Sequence, residues 1–403
     1  MVVHSQFPVG EPRGERHARA LADAGYEVHV ICLRLTGQPE IDQFDHIQVI
    51  RLPVRHVRGT GRLRMAGEYL RFAIGAALAT RALHRRSPID VVYVHTPPDF
   101  LVLSALLPRI RGAKVVLDIH DLTPHMYDAR FGNRRGGPVI TRILRVVERC
   151  ACALADRVVT VHEPYRQELA RNGVEAAKIS IVMNSPAEDE IELVRKMANN
   201  GVSDAFMVAY HGTVTHWYGV DLLIQAIGRL EGRLPNLRAV ILGEGDALSK
   251  AEKIAKEFGV EHRIEFSRKY VPHLEAMTTV ARSSCGVIPN RRSQLNRFAL
   301  SSKLLEYVAL GVPVVVSRLE TLAAHFSPEE VTFFKPDDAG SLAEAICWVA
   351  GHPVAAQEKA ERARKRAEAY SWRRSRSRLL DVVSVGTLDD DIGDDSVRRS
   401  ERN

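Results

Sequence analysis

Glu306 stands one turn into a segment, Ser301-Ser302-Lys303-Leu304-Leu305-Glu306-Tyr307, whose residue types suit a nucleotide. Ser301 or Ser302 can cap a helix running to Leu310, and Gly311 supplies a left-handed stop. The apolar run Val312-Pro313-Val314-Val315-Val316 then reads as a buried strand. In an open α/β sheet the N-terminal ends of such helices face the crevice where ligands bind. Free amides and the positive helix end suit a diphosphate, Lys303 adds a point charge, and the Glu306 carboxylate can accept two ribose hydroxyls. On spacing alone, a capped amphipathic helix with an incidental ion pair reads the same way.

Two glycine turns follow strand-like runs. His211-Gly212-Thr213-Val214-Thr215-His216-Trp217-Tyr218-Gly219-Val220-Asp221 succeeds Phe206 to Tyr210, and Gly243-Glu244-Gly245-Asp246 succeeds Arg238 to Leu242. Glycine there lets backbone amides approach a phosphate closely. Nearer the N-terminus, His95 ends the run Val91 to Val94, and His120-Asp121 follows Lys114 to Ile119. Histidines at strand ends on one rim can donate to a sugar hydroxyl or phosphate oxygen as a glycosidic bond breaks. Asp118, His120, Asp121 and His125 straddle a strand end and a loop, so no metal site is read there. A nucleophile elbow and a Walker lysine loop are both absent from the sequence.

Short β-rich runs alternate with helix-length segments along the chain, and that rhythm predicts an α/β protein with parallel sheets covered on both faces. Glu27 to Cys32, Val91 to Val94, Lys114 to Ile119 and Arg157 to Val161 form one series. Phe206 to Tyr210, Arg238 to Leu242, Arg263 to Phe266, Cys285 to Ile288, Val312 to Ser317 and Val331 to Phe334 form the second. Two doubly wound units result. The polar stretch Ala187 to Asp204 reads as their connection. Met1-Val2-Val3-His4 is only a stub where a first strand belongs, which points to a start codon further upstream. Arg62 to Arg86 is a long helical pattern, apolar over much of its circumference and rich in arginine; it suits an anionic membrane surface or a solvated helix equally. Ala355 to Arg378 is a charged helical pattern interrupted near Tyr370-Ser371-Trp372, and the low apolar content from Thr387 predicts a disordered tail.

With 403 residues, two cores are expected, and 45% hydrophobic with 26% charged residues is an ordinary globular balance. The longest apolar stretches, such as Phe100 to Leu107, fall short of the roughly 18–20 residues that cross a bilayer, and no signal-peptide pattern opens the chain. A cytoplasmic location is expected, with the five scattered cysteines reduced. The net charge of +7 permits an anionic partner, but no nucleic-acid-binding motif accompanies it.

Taken together these residues resemble the family-4 retaining glycosyltransferases of group 1. The resemblance runs through Ala18 to Val28, Ala155 to Val161, Ile181-Val182-Met183-Asn184-Ser185, Tyr210 to Asp221, Gly243 to Asp246, Pro289-Asn290-Arg291-Arg292 and Lys303 to Pro313. It implies a GT-B fold, two Rossmann-like domains facing a cleft. The expected domains are an acceptor-side domain over 1–186 with a truncated first strand, and a nucleotide-sugar-binding domain over 187–370. A helix over 371–386 crosses back to the first domain, and the tail is 387–403. The family uses two glutamates separated by seven residues; Glu306 matches the second, and Phe298 occupies the place of the first. Thr213 and Tyr218 stand where the family carries arginine and lysine, leaving Lys303, Arg291, Arg292 and Arg297 as substitutes, Lys303 foremost.

The resemblance implies transfer of a hexose or N-acetylhexosamine from a nucleoside diphosphate sugar, with retention, to a glycan, lipid-linked or small-molecule acceptor, as in polysaccharide biosynthesis. The donor is a substrate, no cofactor or metal is implied, and no nucleic acid is a partner. Expected catalytic residues are His120, Asp121 and His95; expected donor-binding residues are Gly212, Thr213, Gly243, Gly245, Arg291, Lys303, Leu304 and Glu306. The competing readings are a nucleotide-sugar epimerase of the same architecture, which needs a carboxylate pair the sequence does not present, and a non-catalytic nucleotide-sugar-binding protein.

Overall fold

Apolar, β-branched runs become strands where the sequence places them. The computed structural model describes residues 1–8, 12–55, 61–132, 134, 136–198 and 205–384, so the tail expected from residue 387 lies outside the described residues. The chain divides into two units: Met1–Ile119 with Cys150–Val159 and the residues from Leu379 onward, and His120–Arg149 with Thr160–Arg378.

In the first unit the strands are β1 (Val28–Leu33), β2 (Ile41–Phe44), β3 (Ile47–Leu52), β4 (Val91–Thr96), β5 (Lys114–Ile119) and β6 (Arg157–Thr160). β1 pairs with β3, and β4 with β5, both in parallel. The N-terminal stub completes the arrangement, because Val2 bridges in parallel to Ile31 of β1 and Val94 of β4. One pairing departs from the all-parallel expectation. β2 runs antiparallel to β3, since the two-residue turn Asp45-His46 permits only a hairpin. With two of its four residues exposed, β2 gave no apolar run to read as a strand.

The second unit carries β7 (Ile179–Ile181) and then a six-stranded sheet of β8 (Phe206–His211), β9 (Leu237–Leu242), β10 (Ile264–Phe266), β11 (Cys285–Ile288), β12 (Val314–Ser317) and β13 (Thr332–Phe334). Its order is β10-β9-β8-β11-β12-β13, with parallel neighbours. This is the doubly wound order, and its switch point lies between β8 and β11. Alternating side chains divide the core between the two faces. Val208 and Tyr210 pack with Leu223, Ile227 and Leu342 on one face, whereas Ala209, Ile288 and Val316 meet Leu304, Tyr307 and Val308 on the other.

Two helical readings meet different outcomes. Within the stretch read as a polar connection, Glu188–Ala198 forms a helix, with Ile191 and Val194 buried one turn apart. That spacing gives an acidic sequence one apolar stripe, enough to seat it on the sheet unit. The C-terminal pattern forms helices Pro353–Ala367 and Trp372–Val383, broken at Tyr370-Ser371 as its composition suggests. Arg62–Arg86 is a single helix of 25 residues.

Candidate functional site

The helix carrying Glu306 spans Ser302–Leu310, with Ser301 at the N-cap and Gly311 in the left-handed region at φ 78°. The cap position is as expected, but the Ser301 hydroxyl makes no capping bond. Apolar residues Leu304, Leu305 and Val308 anchor the helix to the sheet, which fixes where Glu306 and Lys303 project.

Glu306 is 8% exposed. Its Oε2 lies 3.0 Å from His211 Nε2, and its Oε1 lies 3.8 Å from His273 Nε2. His211 is the last residue of β8, beside the switch point of the sheet. Its ring is fixed from behind: the Tyr307 hydroxyl accepts from the His211 amide at 3.1 Å and sits 3.0 Å from Nδ1. If the phenol donates to Nδ1, Nε2 bears the proton and faces the carboxylate. Burial alone would raise the Glu306 carboxyl, but His211, then His273 and Lys303, outweigh it and hold it down at about 2. Tyr307 in turn requires a glycine opposite, because a Cβ on Gly286 would stand 2.4 Å from its ring.

Lys303 reaches across the glycine turn after β8. Its Nζ is 4.3 Å from the Tyr218 ring centroid and 5.7 Å from that of Tyr210, a cation held over two π faces. Gly212 sits at φ +108°, a backbone conformation that favours glycine, and a Cβ there would come within 2.5 Å of Lys303 Cε and displace the end of that side chain. Burial lowers the Lys303 pKa, opposed by Glu306. Burial, and then the Asp121 carboxylate, raises the Tyr218 phenol, which brings Asp121 into the same neighbourhood. Thr213 is exposed beside this turn.

The other expected donor residues are placed differently. The Gly212 amide donates to Leu242 O at 2.8 Å, and the Gly243 amide to Ser267 Oγ at 2.9 Å, so both are committed to the fold rather than aimed at a phosphate. Gly243 and Gly245 allow close backbone approach, since a Cβ would stand 2.0 Å from Gly212 O and 2.1 Å from Val214 O respectively. Arg291 is tied to Asp221 at 2.6 Å and Asp337 at 3.4 Å, and Arg297 to Glu320 at 2.7 Å. Arg291 thus ties its loop to its neighbours, and Arg297 joins two short helices. Of the basic substitutes, Lys303 is the one beside Glu306. Leu304 is fully buried in the core, and Phe298 packs its ring 5.0 Å from that of His125.

In the first unit, His95 is 1% exposed and joins a buried network around Asp118. Arg13 grips both Asp118 oxygens at 2.9 and 3.0 Å, and the Tyr93 hydroxyl donates to Oδ2 at 2.9 Å. His17 Nδ1 and His95 Nδ1 stand 3.4 and 3.5 Å from the same oxygen. His95 is thus a member of a sealed polar core. His120 and Asp121, just past β5, are partly exposed.

Sequence reading passed over His211, His273, Tyr307 and Glu190 as site residues. His211 did offer a signal, adjacency to the glycine turn. His273 and Glu190 gave none, because the fold alone brings His273, at a helix start, to Glu306 and Glu190 to His273.

Comparison with known proteins matches residues 11–185 to the "Glycosyl transferase 4-like domain" model and residues 195–370 to the "Glycosyl transferases group 1" model. A glycogen synthase of Mycobacterium tuberculosis is 26% identical over 230 residues, 55% of this chain and 50% of the relative. The chain thus spans about half the length of that curated relative. Among solved structures, a sucrose-phosphate synthase from Thermosynechococcus elongatus superposes with a TM-score of 0.73 at 19% identity, covering 92% of this chain and 91% of the other. HepE from Anabaena, solved in complex with UDP-glucose, gives 0.70 at 14% identity over 95% and 98%. At those identities the two structures speak for the fold of two Rossmann-like domains.

Proposed function

Because the chain belongs to the group 1 glycosyltransferases of family 4, with the GT-B fold, we propose that it transfers a hexose or N-acetylhexosamine from a nucleoside diphosphate sugar, retaining the anomeric configuration. The acceptor is a glycan, a lipid-linked sugar or a small molecule. The observation that carries this reading is the Glu306 carboxylate, ionised and held by His211 at a helix start beside the switch point of a doubly wound sheet. Such a carboxylate accepts the two ribose hydroxyls, the first turn of Ser302–Leu310 faces the diphosphate, and Lys303 adds the countercharge. A relative of the fold solved with UDP-glucose supports a nucleotide-sugar donor.

In this reading His120 and Asp121 serve the reacting sugar, and the helix end with Lys303 carries phosphate charge without a metal. His95, sealed against Asp118, positions the strand end instead of touching substrate. Thermal shift against a panel of nucleoside diphosphate sugars identifies the donor. Glu306→Ala is expected to weaken that donor about 100-fold, the loss of two charge-assisted hydrogen bonds. Unchanged affinity in the variant, or a panel without any stabilising donor, overturns the reading.

We also propose a peripheral membrane contact for the Arg62–Arg86 helix. Among the described residues no helix is long and apolar enough to cross a membrane. Leu63, Leu70, Ile74 and Leu78 nonetheless lie exposed along one stripe, and Arg64, Arg71, Arg81 and Arg85 are exposed beside it or continuing it. Cosedimentation with anionic vesicles that falls at least about threefold in Leu70→Glu/Ile74→Glu checks this; no binding to anionic vesicles refutes it.

A further inference from the structure

We propose that His211, His273 and Glu306, with Glu190 as a fourth donor, form a binding site for a divalent transition cation of the zinc type, and that the cation competes with the nucleotide sugar. The competition rests on the donor reading of Glu306; cation binding itself does not.

The donor atoms are already gathered. His211 Nε2 is 3.0 Å from Glu306 Oε2, His273 Nε2 is 3.8 Å from Glu306 Oε1, and His273 Nε2 is 3.4 Å from Glu190 Oε1. In a tetrahedral site with bonds of about 2.0–2.1 Å, ligand atoms lie roughly 3.3 Å apart, and these separations bracket that value. The ligand atoms of His211, His273 and Glu306 all lie within 4.8 Å of one another, and Glu190, beside His273, can join them by side-chain rotation. Two imidazoles with two carboxylates suit zinc, whereas magnesium and calcium favour all-oxygen sites.

Two further features point to a ligand here. The far nitrogen of His211 is held by Tyr307, the hydrogen bond that orients a metal-binding imidazole and sets its tautomer. Glu306 Oε2 is buried and faces His211 Nε2 at 3.0 Å, a contact that a cation seated between the two atoms would replace by ligation from both. The first unit supplies the contrast. His17, His95 and Asp118 are gathered just as closely, but the Arg13 guanidinium already grips both Asp118 oxygens and is that cluster's cation.

Calorimetric titration of the full chain with zinc chloride, in a weakly coordinating buffer and without any nucleotide sugar, is expected to show one saturable site. His273 is partly exposed at the start of its helix, so His273→Gln should fold normally and weaken zinc at least about tenfold. No saturable binding, or equal affinity in His273→Gln, overturns the site. With donor present, zinc should raise the donor's apparent Kd in the wild type and not in His273→Gln. If zinc binds through His273 and donor affinity stays constant, competition is overturned and the cation site stands. A protein that binds zinc but no nucleotide sugar contradicts only the donor reading.

Discussion

Asp118 and Glu306 are both buried carboxylates ringed by histidines, a tyrosine and one cationic side chain, yet their surroundings leave them in different states. Around Asp118 each oxygen accepts from Arg13, and Oδ2 also accepts from Tyr93. Around Glu306 the cation, Lys303, is turned onto the Tyr218 ring, and the nearest groups to its two oxygens are single imidazole nitrogens, His211 Nε2 at 3.0 Å and His273 Nε2 at 3.8 Å. A guanidinium fork saturates a carboxylate in a fixed geometry. A lysine and two imidazoles keep a carboxylate ionised while leaving it capacity for something else. The first arrangement holds a fold together, and the second holds a charge ready.

The sharpest way to break that comparison is to delete each carboxylate in turn. Asp118→Ala removes the carboxylate whose two oxygens the Arg13 guanidinium, itself 3% exposed, grips. The expected cost is about 3–5 kcal/mol in urea denaturation, with the affinity of Glu306 for its ligand little changed. Glu306→Ala removes a carboxylate that His211, His273 and Lys303 hold ionised and should cost about 1–3 kcal/mol, less than Asp118→Ala, while abolishing tight donor binding. Equal stability losses in the two variants would erase the distinction.

Acid titration tests the sealed network more finely. Burial, and then the Arg13 charge, lowers the His17 pKa to about 4 against the opposing pull of Asp118. The unfolded chain takes up that proton near pH 6.5, where the folded protein refuses it. Stability therefore falls as pH drops from about 6.5 to 4 and levels off below. At about 1.4 kcal/mol for each pH unit, this one histidine accounts for roughly 3 kcal/mol. His162 in the second unit, lowered to about 3 by burial and then by His325, adds a slope of the same sign. Urea midpoints between pH 4 and 7 should consequently fall less steeply in His17→Gln than in the wild type; parallel curves would show that His17 does not titrate this way.

The difference between the two carboxylates also marks what the sequence could show. Glu306 was readable because everything that places it is local: a serine cap, an apolar face and Gly311 all lie within one helix. The double winding was readable for the same reason, strand by strand. Asp118 was not, since its fate is decided by Arg13, 105 residues away, and the sequence shows only that His95 ends a strand. Likewise the acidic start of Glu188–Ala198 hid two apolar residues that turn a polar stretch into a packed helix. The Gly212 and Gly243 turns mislead in the opposite direction. Positive φ at both residues and close backbone approach at Gly243 favour glycine there, so it looks like a phosphate loop although the amides of both residues are already spent.

His120 lies two residues beyond Asp118, where β5 emerges from the sealed network and side chains regain solvent. If Asp118 belongs to structure and His120 to chemistry, the two residues should separate in their readouts. His120→Ala is expected to leave stability within about 0.5 kcal/mol of the wild type, as for a partly exposed side chain outside the core. Donor affinity should change less than about threefold, while turnover falls about ten- to 100-fold, the range for losing one group that stabilises developing charge. Measuring kcat and KM with the donor identified by thermal shift checks this. A loss confined to KM would make His120 a binding residue, and a loss of stability with intact turnover would move it into the same sealed network as His95.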